Sequence, residues 1–114
     1  MTADRTIVIA LGGNAIHQPG QRGTVQEQLR NVESTADQIA ELISRGCRIV
    51  ITHGNGPQVG AILIQQEAAR EQTPPMPLDV CGAQSQGQIG YMLQQSLGKM
   101  LARRSIERPA VTVV

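Results

Sequence analysis

Hydrophobic and polar positions follow two periods along the chain. TIVIAL (residues 6–11) is an unbroken apolar run that stops at Gly12, the composition of a strand buried on both faces of a parallel sheet. Over residues 24–44 the period changes. Leu29, Val32, Ala36, Ile39, Ala40 and Ile43 keep helical spacing on one face, while Glu27, Arg30, Glu33, Asp37 and Glu41 lie elsewhere. This predicts an amphipathic crossover helix, with Gly46 placed to end it in the left-handed conformation. A second β-branched run then covers residues 48–52. Strand, helix and strand have the spacing of a right-handed parallel crossover, so the loops at both strand ends should share one sheet edge.

The rest of the chain is mostly helical. Residues 57–69 read as a second helix, and Pro74, Pro75 and Pro77 turn the stretch after it into a stiff connector. Asp79 is the expected N-cap of a long third helix reaching about Arg104, with Ile89, Leu93, Leu97, Met100 and Leu101 along one face and Lys99, Arg103 and Arg104 suiting its C-terminal end. Gly82, Gly87 and Gly90 fall inside this helix, where each costs about 1 kcal/mol relative to Ala, so something should approach that face closely. Pro109 introduces residues 110–114, an apolar β-branched run that reads as a third buried strand. Residues 17–23, with Pro19, Gly20 and Gly23, read as a mobile excursion whose one cation is Arg22.

Composition removes several function classes. At 114 residues the chain fits one small domain and is short for an enzyme with two substrates. A formal net charge of +1, with its 10 Lys and Arg residues scattered, leaves no electrostatic footprint for nucleic acid or an anionic membrane. Tyr91 is the only aromatic residue, so the core must be aliphatic and base-stacking platforms are missing. Cys47 and Cys81 make neither a disulfide framework nor a metal-ligand set, which fits a reducing cytoplasm. Asp4 and Arg5 precede an apolar run too short for a signal sequence or a membrane span.

Chemistry concentrates at the two strand ends. Gly12, Gly13 and Asn14 follow the first strand, and Gly54, Asn55 and Gly56 follow the second, with Pro57 suited to a first helical turn. Glycines able to take positive φ, next to a helix N-terminus, would present unpaired amides and a positive dipole end to an anion. Phosphoryl transfer is the chemistry this suggests, because it needs positioning and charge stabilisation rather than covalent catalysis. The cationic half is missing: the only lysine is Lys99, and neither strand end carries an Asp or Glu that could hold Mg²⁺.

IALGGNA (residues 9–15), ITHGNGPQVG (51–60) and MPLDVCGAQSQGQIGYMLQQ (76–95) together resemble the N-terminal third of bacterial carbamate kinases, in the amino acid kinase superfamily. The resemblance covers essentially the whole chain. It implies a three-layer α/β sandwich with a mainly parallel sheet, of which this chain carries about three strands and three helices. It implies phosphate exchange between ATP and carbamate with Mg²⁺, a place in arginine metabolism, and a homodimer. By matching motif, Gly12, Gly13 and Asn14 would face the transferred phosphoryl group, and Gly54, Asn55 and Gly56 the carbamate or carbamoyl phosphate end. The helix from Asp79 resembles the family's dimer-interface region. The family's catalytic lysines, organising aspartate and adenine pocket have no counterpart here, so residues 1–114 are expected to be the N-terminal part of the domain, without its nucleotide-binding part, and to be inactive alone. No catalytic residue and no metal ligand is assigned within the chain.

Blander readings compete at each position. A strand-to-helix turn explains either glycine loop by itself, and only the pairing of the two argues for a site. His53 suits a hydrogen-bonded structural role better than a general base, since phosphoryl transfer to a carbamate oxygen needs little proton abstraction. His17 reads as a loop residue, Arg22 as a solvated charge or a phosphate contact, and Cys81 as a packed thiol. Two further functions stay open: a catalytically incomplete module that binds a small anion or pairs with another subunit, and another amino acid kinase acting on a carboxylate.

Overall fold

A computed structural model describes residues 5–114. Two strands, β1 (Thr6–Leu11) and β2 (Arg48–His53), pair in parallel with Ile7 beside Ile49, Ile9 beside Ile51 and Leu11 beside His53. Between them runs α1 (Val25–Ser44), and α2 (Gly56–Ala68) and α3 (Leu78–Arg103) follow. Among the described residues these are the only strands, and the architecture is α/β.

The ends of α1 follow from side-chain chemistry. Thr24 caps it: its hydroxyl accepts from the Glu27 N–H at 3.3 Å, while Glu27 Oε2 accepts from the N–H groups of Thr24 at 3.0 Å and Gly23 at 2.8 Å. At the other end Gly46 has φ 89° and donates to Ile43 O, and Cys47 donates to Leu42 O. The left-handed turn expected at Gly46 is present. It delivers the chain into β2 within two residues.

Helices α1 and α3 cover one face of the strand pair. Ala36, Ile39, Ala40 and Ile43 of α1 meet Leu97, Met100 and Leu101 of α3, with Ile9, Ile49 and Ile51 packed beneath. A second cluster joins Leu11, Ile16 and Val32 to Ile89, Met92 and Leu93. The opposite face is bare, and Val8 and Val50 are 65% and 48% exposed. The expectation of strands buried on both faces therefore fails among the described residues: with one covered face, alternate residues point outward.

Three other expectations need correction. The N-cap of α3 is Pro77, and Asp79 sits inside the first turn, where its carboxylate faces the positive end of the helix. Only Gly90 of the three helical glycines is closely approached, by the side chain of Thr112; a Cβ at Gly82 or Gly87 would meet nothing within 4 Å. Residues 110–114 form no strand. Thr112 Oγ1 donates to Gly90 O at 3.3 Å and pairs with Gln94 Oε1 at 2.9 Å, which holds the segment against α3. A cavity of about 720 Å³, lined by Ile49, Ile51, Leu97, Pro109 and Val111, lies between the segment and β2.

Residues 17–23 are stapled. His17 Nε2 pairs with Gln21 O at 2.8 Å, and Asn31 of α1 donates to Ile16 O at 2.9 Å and Gln21 Oε1 at 2.7 Å. The excursion is thereby tied to the helix it precedes.

Candidate functional site

The parallel register brings the two glycine loops together. Gly54 N donates to Leu11 O at 3.0 Å, extending the ladder by one bond beyond the strands. A Cβ on Gly54 would lie 3.8 Å from Gly13 N, and one on Gly13 would lie 3.5 Å from Pro57 Cδ. The first loop enters a short 3-10 turn, Gly13–Ala15, from an extended Gly12. The second passes through Asn55, with φ −142° and ψ 11°, directly into α2. All six predicted site residues, Gly12, Gly13, Asn14, Gly54, Asn55 and Gly56, thus lie at one sheet edge.

The reason these positions are glycine differs from the expected one. Positive φ occurs at Gly20, Gly23 and Gly46, and at none of Gly12, Gly13, Gly54 or Gly56. Gly13 and Gly54 instead lie where the loops touch, a Cβ on the first reaching the Pro57 ring and one on the second Gly13 N, both at ordinary contact distance. Gly12 and Gly56 would meet nothing within 4 Å if they carried a Cβ, so the chain itself leaves room there.

The donors around the junction divide unevenly. Gly54 N–H is used by Leu11 O. Among the described residues, the backbone N–H groups of Gly12, Gly13, Asn14, Asn55 and Gly56 donate to no carbonyl and no side chain. Five unused donors at one edge, two of them at a helix N-terminus, form an arrangement suited to oxyanions. The side chain of Asn55 is fixed from below: its Nδ2 donates to Ser85 Oγ of α3 at 2.8 Å, and Ser85 is fully buried. Ser85 went unnoticed in the sequence, and no local signal marks it, because the bond joins residues 30 positions apart.

Beside this edge lies a polar cavity of about 210 Å³ between residues 17–23 and the first turns of α2. His17, Arg22, Gln28, Gln58 and Gln88 line it. Gln58 is only 4% exposed and neither of its amide atoms has a partner within the chain. Gln88 donates to Gln28, which in turn donates to Gly23 O at 2.7 Å.

Of the other candidate residues, His53 adjoins the second loop and Lys99 is engaged by α1. Lys99 Nζ pairs with Glu33 at 2.8 Å, and the donated hydrogen bond holds the Glu33 carboxyl below the usual glutamate range. His53 Nδ1 pairs with the carbonyl of Gly54 at 3.0 Å, and Cys81 is a buried thiol donating to Met76 O. Among the described residues no three His, Cys, Asp or Glu side chains converge as a metal site, and no helix is long and apolar enough to cross a membrane.

The fold and this edge define an α/β protein whose paired glycine loops leave backbone donors unused at one sheet edge. Residues 5–107 match the family described as the amino acid kinase family, and the chain belongs to it. It is 56% identical over 110 residues to a carbamate kinase of Pyrococcus horikoshii and 52% identical over 112 residues to one of Pyrococcus furiosus. These matches cover 95% and 96% of the chain but 35% and 36% of the relatives, so the chain spans about a third of their length. Among solved structures, a carbamate kinase from Giardia lamblia bound to AMP-PNP superposes with a TM-score of 0.88 at 47% identity, over 96% of this chain and 38% of that one.

Proposed function

We propose that this chain supplies the phosphate and carbamate side of a carbamate kinase site, in a phosphotransferase that moves phosphate reversibly between ATP and carbamate. The observation that carries the reading is the row of five unused N–H groups at the junction of the two glycine loops. It is supported by the carbamate kinases to which the chain is similar. In the direction of ATP formation, the bond between the carbamoyl oxygen and phosphorus breaks. That oxygen leaves with the electron pair as carbamate, and a terminal oxygen of ADP takes the phosphoryl group. The amides of Gly12, Gly13 and Asn14 would hold the phosphoryl oxygens, and those of Asn55 and Gly56, with Gly54 setting the spacing, the carbamoyl end.

The fit to Mg²⁺ is poor at this edge. The loops contribute N–H donors and carboxamides but no carboxylate, and Mg²⁺ is usually anchored to a protein through one or two carboxylates. Nucleotide and metal would therefore be held by residues outside these loops, in a part of the domain for which residues 1–114 are the N-terminal portion. A homodimer formed through α3 is supported by its exposed stripe of Val80, Gln84, Gly87 and Tyr91. Two free, buried thiols fit a reducing cytoplasm.

The test is ATP formation from carbamoyl phosphate and Mg-ADP, by this chain and by a form extended to the relatives' full length. The extended form should turn over, and the 114-residue chain should give no ATP above the uncatalysed rate. No ATP from the extended form refutes the reading. Phosphate binding by the short chain without turnover in either form would favour a small-anion-binding module instead.

A further inference from the structure

The contact beneath the second loop fixes more than the position of Asn55. Ser85 Oγ lies 2.6 Å from Gly82 O in the preceding turn of α3. A carbonyl only accepts, so the single hydroxyl hydrogen of Ser85 points at Gly82, and the oxygen meets every other partner as an acceptor. The 2.8 Å contact with Asn55 must then be donated by Asn55, which places the amide nitrogen toward α3. The flip state of the carboxamide is settled by hydrogen-bond logic alone. Asn55 Oδ1, on the other limb of the same planar group, makes no hydrogen bond within the chain and is left as a side-chain acceptor at a half-buried loop position.

We propose that Ser85 is a positioning residue that locks Asn55 with its Oδ1 ready to accept from the N–H₂ group of the substrate, and that this pair makes the site select carbamoyl phosphate over acetyl phosphate. The proposal rests on the function given above. The two substrates have the same shape and the same phosphoryl leaving chemistry; they differ where an amino group that donates hydrogen bonds replaces a methyl that cannot. Backbone amides cannot make that distinction, because they bind the oxygens both molecules share. An oriented acceptor can. With acetyl phosphate it is left unpaired, which is the situation in which enzymes reject isosteric analogues. A free Asn side chain would discriminate poorly, since rotation by a half-turn would present N–H₂ to N–H₂. Ser85, buried under the loop, removes that alternative.

The experiment compares kcat/KM for carbamoyl phosphate and acetyl phosphate, with Mg-ADP, in the extended enzyme and its variants. Ser85→Ala should lower the carbamoyl-to-acetyl ratio by roughly tenfold, the worth of one neutral hydrogen bond, and leave the acetyl phosphate reaction within about twofold. Asn55→Ala, at a half-exposed loop position that threatens the fold less, should lower the ratio to a similar degree. The double variant should lose no more than either single one, because the two residues act as a unit. A ratio unchanged in both variants, or equal losses on both substrates, overturns the proposal while the carbamate kinase reading stands. A parent enzyme inactive on carbamoyl phosphate overturns both.

Discussion

The chain leaves its two parallel strands in opposite ways. After Leu11 it makes a 3-10 turn and a stapled excursion before α1 begins, and nearly every bond that shapes this exit is local: Gln18 to Gln21, Gly23 and Thr24 to Glu27, Gln28 to Gly23. After His53 it enters α2 within two residues, and the bond that orients the exit comes from Ser85 on a different helix. One loop is shaped by its own sequence neighbourhood and the other by tertiary structure. The first should therefore respond to changes in caps and pH, and the second to changes in packing.

The largest expected effect lies where the exits touch. Gly54→Val would carry branched carbons past the 3.8 Å at which a Cβ already stands from Gly13 N, and would cover one of the donors. In the extended enzyme turnover should fall about a hundredfold, the scale of a misplacement near 1 Å, with little change in the unfolding midpoint. A Cβ in Gly56→Ala meets nothing within 4 Å in this chain, so the variant should keep the chain's own packing, and its turnover should fall less than that of Gly54→Val. If both variants keep wild-type kinetics, the junction is only a turn.

Next comes the staple of the first exit. Asn31→Ala removes the donor to the carbonyl of Ile16, a fully buried residue, and to Gln21. The stranded carbonyl should cost about 1–3 kcal/mol in urea unfolding. Amide exchange over residues 17–23 should quicken while residues 54–58 keep their protection. Equal loosening of both loops would mean that the two exits are coupled and not shaped separately.

Which features were legible in the sequence follows the same division. The left-handed Gly46 rests on short-range chemistry that its own neighbourhood states, and the shared edge of the glycine loops follows from the strand–helix–strand spacing. The positive φ expected at Gly54 and Gly56 is absent: Gly54 lies at contact distance from the first loop, and a Cβ at Gly56 would meet nothing within 4 Å. Ser85 and the unpartnered Gln58 could not be read, because a serine or glutamine inside a helix carries no mark of what it will face. Residues 110–114 looked like a strand by composition. A strand also needs an edge at pairing distance, and a cavity separates this segment from β2.

Acid should act on the first exit before the second. Glu27 accepts from the backbone of Thr24 and Gly23, and the Thr24 hydrogen bond is the main reason its carboxyl sits below the usual glutamate range. A carboxyl lowered by folding adds stability at pH values above its unfolded range, and that contribution disappears as pH falls through the folded value. Stability should thus decline below the glutamate range, with α1 fraying from Thr24. Glu27→Gln should flatten that part of the profile. A profile that stays as steep in Glu27→Gln would assign the acid sensitivity to other carboxylates, Glu33 with its Lys99 partner first among them.

The smallest effect serves as a control outside both exits. Helix α3 ends like α1, with Ser105 N–H donating to Ala102 O and Ile106 N–H to Leu101 O, but here a serine takes the left-handed position, at φ 55°. A side chain pays a steric penalty there that glycine escapes, partly offset by glycine's greater freedom in the unfolded chain. Ser105→Gly should raise stability by about 0.5–1 kcal/mol and leave turnover and loop protection untouched. If it instead changes the carbamoyl-to-acetyl ratio, α3 transmits strain along its length to Ser85, and the second exit is set by the whole helix rather than by one hydroxyl.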